Sequence, residues 1–398
     1  MAGEPVESRK SKVESRKPTC SGSHGWLAFN FQFSIFSIFN FQLMCSAALL
    51  CAILILSLGS GLSKLGRLFG YSPEQDDVNG PVAAMWQATP IHWRINPSVR
   101  TNVHTTGGDT VGAAVGKAFS TWQSSQVNGQ TLTNVSFTKD ANTSLTDPDF
   151  TNCLNTVSFV PSSAVAFPTG TIAFADIATD SGTPPTTYDC TQNGVTTTHT
   201  CNLESCIVDA DIVLNPSVDF STTTPPVAGD FDVQATATHE IGHFLGLDHS
   251  GIANAIMYPF GDTVSAGASR VLAIDDAVGV AFLYPSNNFA SATGTISGQV
   301  TLTGSGAFAA HVIAIDAASG NAVVDGLTDT SGNYSLVGVP PGSYNVLALP
   351  LAGIYDLSHF GGWYCGFSPN SPPCCDPADN TCTGTQIPDP TNYTGKFF

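Results

Sequence analysis

Three histidines and one glutamate lie within the segment HEIGHFLGLDHS, which begins at His239. His239 and His243 are four residues apart, so on a helix they project from the same face and can reach a single ion. Neutral imidazole is a good zinc ligand, and a site with three protein ligands keeps a fourth position for water. Glu240 follows the first histidine, where its carboxylate could act as a general base on that water. The spacing therefore predicts a catalytic metal centre.

Gly246 and His249 extend this pattern to HExxHxxGxxH. Glycine can adopt a left-handed conformation, which would end the helix and bring His249 back beneath the metal. A lone HExxH is a weak signal, and a single histidine is more often a core or surface residue than a ligand. The five fixed positions of the extended pattern are much harder to obtain by chance, so we interpret His239, His243 and His249 as metal ligands.

The extended motif resembles that of the metzincin metalloproteases. Met257, eight residues after His249 in the sequence AIMYP, is similar to the Met-turn of the matrixin group, whose motif is likewise followed by serine. Taken alone, Met257 would be interpreted as ordinary core filling. After a full zinc motif, the resemblance implies a residue that packs beneath the metal without binding it.

The resemblance covers roughly residues 91–284. The segment IDDAVGVAFLY is similar to the C-terminal matrixin helix, in which an aspartate pair braces the Met-turn and the mature N-terminus. Asp275 and Asp276 are therefore expected to be support residues, with a solvated helix face as the alternative. GTIAFADI and IVDADIVLN resemble the strands that line the upper rim of the cleft, where an extended peptide would pair with a strand edge.

The resemblance implies an α+β fold, with a zincin-like catalytic domain built from a twisted mixed sheet and an active-site helix. It implies a secreted or surface zinc-dependent endopeptidase that hydrolyses peptide bonds with zinc-bound water and Glu240 as general base. The alternative is an extracellular adhesion or binding protein with a vestigial metal site. The intact Glu240 argues against this alternative, because a decayed site would be expected to lose its general base first.

One catalytic zinc is the expected cofactor. The additional histidine cluster and the glycine-rich calcium loop of the family's animal members have no counterpart in this sequence. Asp209 and Asp211 could bind calcium, but a role at a turn or strand end is favoured, so calcium is unsupported. The wall residues after Met257, YPFGDTVSAGAS, diverge too far to transfer a substrate preference.

The sequence before the motif predicts one helix and several strands. The stretch IHWRINPSV alternates in the manner of a strand. From Val111 to Trp122, apolar residues recur at helical spacing, with Asp109 or Thr110 as the cap. Residues 132–215 are rich in Thr, Ser, Val and Phe, and their short apolar runs are typical of strands separated by Pro and Gly turns.

Two more helices are predicted, one carrying the motif and one following it. The first runs from about Asp230, whose carboxylate can cap it, to Leu245, where Gly246 stops it. The other lies around ASRVLAIDDAVGVAFLY and ends before Pro285. The polar stretch PSNNFASATG that follows marks a domain boundary.

A small all-β sandwich is predicted beyond this boundary. GTISGQVTLTG, HVIAIDA, GNYSLVGV and SYNVLALP are four strand candidates joined by turn signals. The run TDTSGNYSLVGVPPGSYNV and the preceding HVIAID strand resemble the carboxypeptidase-regulatory-like, transthyretin-like β-sandwich. This resemblance implies a spacer, stabilising or adhesive unit without catalysis, in which His311 is a strand residue and not a ligand.

Five segments are expected along the chain. They are an N-terminal export signal or membrane anchor (1–72), a matrixin-like zinc protease domain (73–286), a linker (287–293), a carboxypeptidase-regulatory-like β-sandwich (294–352) and a cysteine-rich tail (353–398). In the first segment a basic stretch precedes a run from Trp26 to Leu58 that contains no charged residue. This run could span a bilayer or act as an export signal, and Met44 is an alternative start.

The cysteines favour an oxidising compartment. Eight of the 11 follow the apolar segment, in two groups of four. An even number in each group is typical of a disulfide framework, whereas zinc ligation would favour paired C-x-x-C spacing, which is absent from the sequence. Cys374 and Cys375 are adjacent, with Cα atoms about 3.8 Å apart, so we expect them to pair outward with Cys365 and Cys382.

The charge distribution excludes a nucleic-acid function. From Gly70 onward the chain has 6 basic and 28 acidic residues, a formal charge of −22. Such a surface repels phosphate, which requires clustered Lys and Arg. We therefore expect protein or peptide substrates, a monomeric state, and a location outside the cell or at its surface, with the N-terminal apolar segment as the one candidate membrane anchor.

Overall fold

The computed structural model describes residues 83–261, 263, 270–329, 331–351 and 396–397. The N-terminal apolar segment and the cysteines of the tail lie outside these residues. Among the described residues, no helix is long and apolar enough to cross a membrane.

The elements up to the motif are mainly short strands. In chain order they are β1 (Ile91–Ile95), β2 (Val103–His104), α1 (Val111–Gln123), β3 (Phe137–Lys139), β4 (Thr156–Ser158), β5 (Ala173–Ser181), β6 (Thr186–Gln192), β7 (Val195–Cys201), β8 (Ser205–Leu214), β9 (Phe220–Ser221) and β10 (Phe231–Asp232).

The elements from the motif onward begin with helices and continue as strands. They are α2 (Val233–Phe244), α3 (Ile274–Leu283), α4 (Phe289–Ala292), β11 (Gly294–Gln299), β12 (Thr301–Leu302), β13 (Ser305–Gly306), β14 (His311–Asp316), β15 (Ala322–Leu327), β16 (Asn333–Val339), β17 (Tyr344–Leu349) and β18 (Lys396–Phe397).

A five-stranded mixed sheet supports the motif. Its strand order is β3-β1-β4-β8-β5, with β5 antiparallel to β8 and the other pairs parallel. The predicted α+β class with a mixed sheet is therefore confirmed. Strand β5, which begins in the sequence predicted to line the cleft, is the terminal strand of this sheet.

Aromatic packing joins helix α1 to the sheet and to α2. Phe119 stacks on Trp93 of β1 with ring centroids 4.1 Å apart, and its edge meets Phe244 of α2 at 5.6 Å. The Trp122 indole, which is fully buried, donates a hydrogen bond to the Thr238 carbonyl at 2.7 Å. Phe119 and Trp122 lie on the apolar face of α1, which packs against both α2 and the sheet. Helix α1 therefore holds α2 in position relative to the strands. Thr110 caps α1, as one of the two predicted alternatives.

A disulfide-stapled hairpin lies between β5 and β8. Strands β6 and β7 pair with each other alone, antiparallel and largely exposed. Cys153–Cys190 joins the hairpin to the segment before β4, and Cys201–Cys206 closes its base. The prediction of disulfides in the first cysteine group is thus confirmed.

Residues 294–351, which we call the β module, form separate sheets after α4. Strand β14 pairs antiparallel with β15 and β17, β17 also pairs with β18, and β11 pairs with β16. Three of the four predicted strand segments coincide with β14, β16 and β17, and the first contains β11 and β12. Strand β15 was not predicted, because its sequence AVVDGL does not alternate between apolar and polar residues.

Candidate metal centre

Helix α2 presents the first two histidines of the motif. Its N-cap is Asp232, whose Oδ1 accepts a hydrogen bond from the Ala235 amide at 2.8 Å. The prediction of Asp230 as the cap is therefore wrong. The Oδ2 atom of Asp230 instead lies 2.5 Å from the Nδ1 atom of His104. The Asp232 carboxylate also binds the Arg270 guanidinium, which neutralises its charge in a nearly water-free environment.

The three motif histidines converge on one point. Their ligand atoms all lie within 4.8 Å of one another, and their ring centroids are 5.0, 5.3 and 4.8 Å apart. His239 and His243 come from successive turns of α2, and His249 approaches from the loop that follows. Among the described residues, this is the one cluster of three or more His, Cys, Asp or Glu side chains that could hold a metal ion.

Backbone carbonyls set the orientation of two imidazoles. His239 Nδ1 lies 2.7 Å from the Ile256 oxygen, and His243 Nδ1 lies 2.8 Å from the Leu247 oxygen. A carbonyl can only accept, so in each ring Nδ1 carries the proton and Nε2 keeps its lone pair for a metal. Burial, followed by the neighbouring charge of His243, lowers the pKa of His239 to about 3. His239 thus presents a neutral nitrogen, the form of imidazole that binds zinc.

Gly246 allows the chain to turn back toward the metal site. Its φ is +90°, and a Cβ at this position would lie 2.1 Å from the Ala84 carbonyl oxygen. The Leu247 amide then returns to the Gly242 carbonyl at 2.9 Å, closing the helix end. Glycine is required here for its backbone conformation and for the close approach of Ala84, and the turn delivers His249.

Two aromatic side chains cap the C-terminal end of α2. Trp86 Nε1 donates to the Phe244 carbonyl at 2.7 Å, and the Tyr284 hydroxyl donates to the Leu245 carbonyl at 2.7 Å. These carbonyls have no partner within the helix, so the aromatic donors satisfy groups that would otherwise be buried without a hydrogen bond. Neither residue was singled out as part of the site, because no local pattern links them to the motif.

Glu240 lies on the same helix, almost entirely shielded from water. Only 5% of the residue is exposed. Burial raises the pKa of its carboxyl to about 7, while His243 and the Ala175 backbone on β5 act in the opposite direction. A carboxyl with a pKa near neutrality can both take up and release a proton at physiological pH.

Met257 forms the floor beneath α2, and Gly242 makes room for it. Met257 is 2% exposed. A Cβ on Gly242 would lie 2.1 Å from the Met257 sulfur and 3.0 Å from the Trp122 ring. Gly242 occupies a variable position of the motif, so its importance could not be predicted from spacing.

The two aspartates at the start of α3 bind different parts of the loop after His249. Asp276 accepts hydrogen bonds from the amides of Ile256 and Met257 at 2.8 and 3.0 Å. Asp275 accepts from the Ser250 hydroxyl at 2.6 Å. Both are 2% exposed, so neither lies on a solvated helix face.

Asp209 and Asp211 lie on strand β8 and are not part of the histidine cluster. Asp209 Oδ2 accepts from the Leu154 amide at 2.9 Å, and Asp211 accepts from the amides of Thr156 and Asp149 at 2.7 and 2.9 Å. These contacts hold the segment before β4 against β8. Both aspartates lie inside β8, so the predicted position at a turn or strand end is wrong, although their hydrogen bonds serve the structure of the sheet.

The structure brings the three predicted histidines together, and Glu240 lies on the helix that carries two of them. Met257 packs against Gly242 of that helix, Gly246 turns the chain after it, and Asp275 and Asp276 bind the loop that follows His249. Sequence reasoning missed Gly242, Trp86 and Tyr284, which act through contacts distant in the chain.

Comparison with known proteins gives a family match over this region. The family model described as Matrixin matches residues 85–285. Metalloendoproteinase 2-MMP of Arabidopsis thaliana is 38% identical over 108 residues, which cover 27% of this chain and 28% of that protein. Metalloendoproteinase 1 of Glycine max is 43% identical over 83 residues, 21% of this chain and 26% of that protein. Karilysin of Tannerella forsythia is 38% identical over 72 residues, 18% of this chain and 14% of that protein. The chain thus spans about a quarter or less of the length of these relatives.

Proposed function

The chain belongs to the matrixin family, and from this premise we propose that it is a zinc-dependent endopeptidase. The observation that carries the proposal is the convergence of three histidine ligand atoms within 4.8 Å, beside the buried carboxyl of Glu240. We propose His239, His243 and His249 as the ligands. When bound, zinc would supply a Lewis acid for the peptide carbonyl and lower the pKa of a water molecule.

In the proposed reaction, Glu240 moves the protons. Its carboxylate takes a proton from the attacking water, and its carboxylic acid then gives that proton to the nitrogen of the departing amine. A pKa raised by burial suits this exchange, because the group must be a base in one step and an acid in the next. The carbonyls of Ile256 and Leu247 keep His239 and His243 in the required tautomer throughout.

Strand β5 is proposed as the platform for the substrate. It is the terminal strand of the mixed sheet, and its Ala175 lies beside Glu240. An extended peptide that pairs with this strand would be held by its backbone, with its scissile bond near the carboxyl. The substrates proposed are therefore proteins or peptides in extended conformation.

We propose a location outside the cytoplasm, with the chain secreted or attached at the cell surface. The two disulfides support this proposal, since such bonds persist in oxidising compartments. The strongly acidic composition beyond residue 70 is compatible with a soluble extracellular protein. The monomeric state stays a prediction.

The test is the substitution Glu240→Ala. We expect the variant to bind zinc as the wild type does, because all three imidazoles remain, while cleavage of casein falls by at least about 100-fold. Zinc content is measured by atomic absorption and cleavage with a broad peptide library. Glu204→Ala, which removes the other glutamate of the described region, serves as the matched control and should retain activity.

Two results would contradict the proposal. Continued cleavage by Glu240→Ala would mean that another group activates the water. A wild-type protein that binds zinc but cleaves nothing in the library would instead favour a binding protein.

A further inference from the structure

The β module packs directly against the helix that supports the Met-turn. At Gly338 of β16, a Cβ would lie 2.3 Å from the Val278 Cγ1 of α3 and 3.3 Å from the Phe289 ring. There is no space for a side chain between strand and helix at this point. Val278 is itself fully buried, so the contact belongs to the interior of the protein.

A single buried carboxylate connects the module to the loop after His249. Asp275 of α3 accepts the Ser250 hydroxyl at 2.6 Å through one oxygen and the backbone amide of Asp325 at 3.2 Å through the other. Asp325 lies on β15 of the module. The exposed fractions of Asp275, Ser250 and Asp325 are 2%, 3% and 2%, so water does not compete for these bonds.

His311 of β14 completes this contact. Its Nε2 lies 2.5 Å from the Asp325 Oδ2, and both residues are buried. A Cβ on Gly251 would lie 2.4 Å from the His311 Nε2 and 2.5 Å from the Asp325 Oδ2. The backbone two residues after the third histidine therefore rests on the His311–Asp325 pair.

The loop from Ser250 to Met257 is held at both ends by α3. Asp275 holds Ser250, Asp276 holds Met257, and the Ser250 amide donates to the Met257 carbonyl at 2.8 Å. Burial and the charges of Asp325 and Asp276 raise the pKa of Asp275. A buried acidic group of this kind is costly unless its hydrogen bonds are complete, and the module supplies one of them.

We propose that the β module is part of the support of the metal site, and that His311 and Asp325 are positioning residues for the loop from Ser250 to Met257, which directly follows His249. They act through Asp275 and Ser250 and touch neither metal nor substrate. The consequence for catalysis rests on the proposed function, whereas the consequence for the loop does not. Direct hydrogen-bond partners of metal ligands commonly change metal affinity by about 10–100-fold. Because His311 and Asp325 act through two further residues, we expect an effect at the lower end of that range.

The first test is Gly251→Ala in the full chain, which pushes the loop away from His311 and Asp325. We expect amide hydrogen exchange in residues 250–257 to accelerate in the metal-free protein, and zinc release to a chelator to accelerate by about 10-fold or more. We also expect kcat to fall while KM stays within about twofold. Gly116→Ala on α1, where a Cβ would meet nothing within 4 Å, is the matched control.

The second test compares two replacements of His311, in case Gly251→Ala does not fold. His311→Ala removes the partner of Asp325 and should accelerate loop exchange and zinc release. His311→Gln places an amide near the former Nε2 and should restore both toward wild type. Asp329→Asn changes an aspartate that serves a turn within the module and should leave both unchanged.

The outcomes separate this inference from the proposed function. If Gly251→Ala or His311→Ala lowers thermal stability but leaves loop exchange and zinc release unchanged, the module merely stabilises the fold and the inference is wrong. Equal behaviour of His311→Ala and His311→Gln would also overturn it. A protein without proteolytic activity whose loop exchange still responds as expected would refute the proposed function and support the inference.

Discussion

At the scale of single residues, the site depends on which ring nitrogen faces the metal. The spacing of His239 and His243 predicts that both can reach one ion, but the carbonyls of Ile256 and Leu247 occupy Nδ1 of each ring, which makes Nε2 the proposed ligand atom. The first property is local to a helix and can be read from sequence. The second depends on where two loops fold back, which the sequence does not reveal.

Gly242 offers a test at this scale. Replacing it with alanine brings a methyl group within 2.1 Å of the Met257 sulfur, and overpacking of this kind costs about 1–3 kcal/mol. We expect Gly242→Ala to lower the free energy of unfolding of the metal-free protein in urea. Gly116→Ala, also inside a helix but without such a contact, should be stabilising by about 0.4–1 kcal/mol.

The sulfur contact can be checked by a double substitution. Combining Gly242→Ala with Met257→Val shortens the side chain that the new methyl group meets. The loss should then be smaller than the sum of the two single losses. If the two losses in free energy of unfolding were strictly additive, the Met257 side chain would not be what limits the space at residue 242.

At the scale of elements, helix α2 is held at both ends by residues far away in sequence. The predicted end at Leu245 lies within one residue of the observed end, because Gly246 signals it locally. The start was placed at Asp230 although Asp232 is the cap, since both are aspartates followed by apolar residues. Only the fold distinguishes them: Asp230 pairs with His104 and Asp232 with Arg270.

Tyr284→Phe tests the capping of α2. The substitution removes the hydroxyl that donates to the Leu245 carbonyl at 2.7 Å and accepts from the Trp86 amide at 3.1 Å. Leaving these buried groups unpaired should lower the free energy of unfolding by about 1–3 kcal/mol, measured by urea denaturation. Tyr344→Phe removes a comparable hydroxyl–carbonyl bond at a half-buried position, and its loss should be smaller. Equal losses would mean that burial of the α2 end does not matter.

At the scale of the whole molecule, buried acids make stability depend on pH. Burial, with the charge of Asp211 next in size, raises the pKa of Asp209 to about 8, and Asp149 adds to this. Because the folded protein then binds the proton more tightly than the unfolded chain, the associated stability is present at low pH. It is lost as the pH rises from about 4 through about 8.

Asp209→Asn should remove this part of the pH dependence. The amide oxygen can still accept from Leu154, but no charge forms at high pH. Relative to wild type, the variant should gain stability steadily between about pH 4 and pH 8, as measured by thermal unfolding across that range. The exposed Asp189 of β6 provides the control, and Asp189→Asn should leave the profile unchanged. A constant difference between Asp209→Asn and wild type at all pH values would contradict the assignment.

The candidate metal centre was more predictable than the contacts that unite it with the β module. A nearly contiguous motif and the resemblance it carries identify the histidines, Met257 and the aspartate pair. The hydrogen bond from the Asp325 amide to the Asp275 carboxylate joins residues that are 50 positions apart in the chain. Asp325 lies on β15, a strand that was not predicted. His311 was expected to be a strand residue and is one, but nothing in its surroundings along the chain indicates the partner it meets.

The close packing of β16 on α3 determines where a truncated form of this protein can end. The family match ends at residue 285, so a fragment designed from that match alone would end near this residue. Such a product would expose Val278 and the carboxylate of Asp275 to solvent, on a surface shaped to be covered. Apolar surface of this kind promotes aggregation. A recombinant fragment that contains the metal site should therefore include the β module if it is to remain in solution.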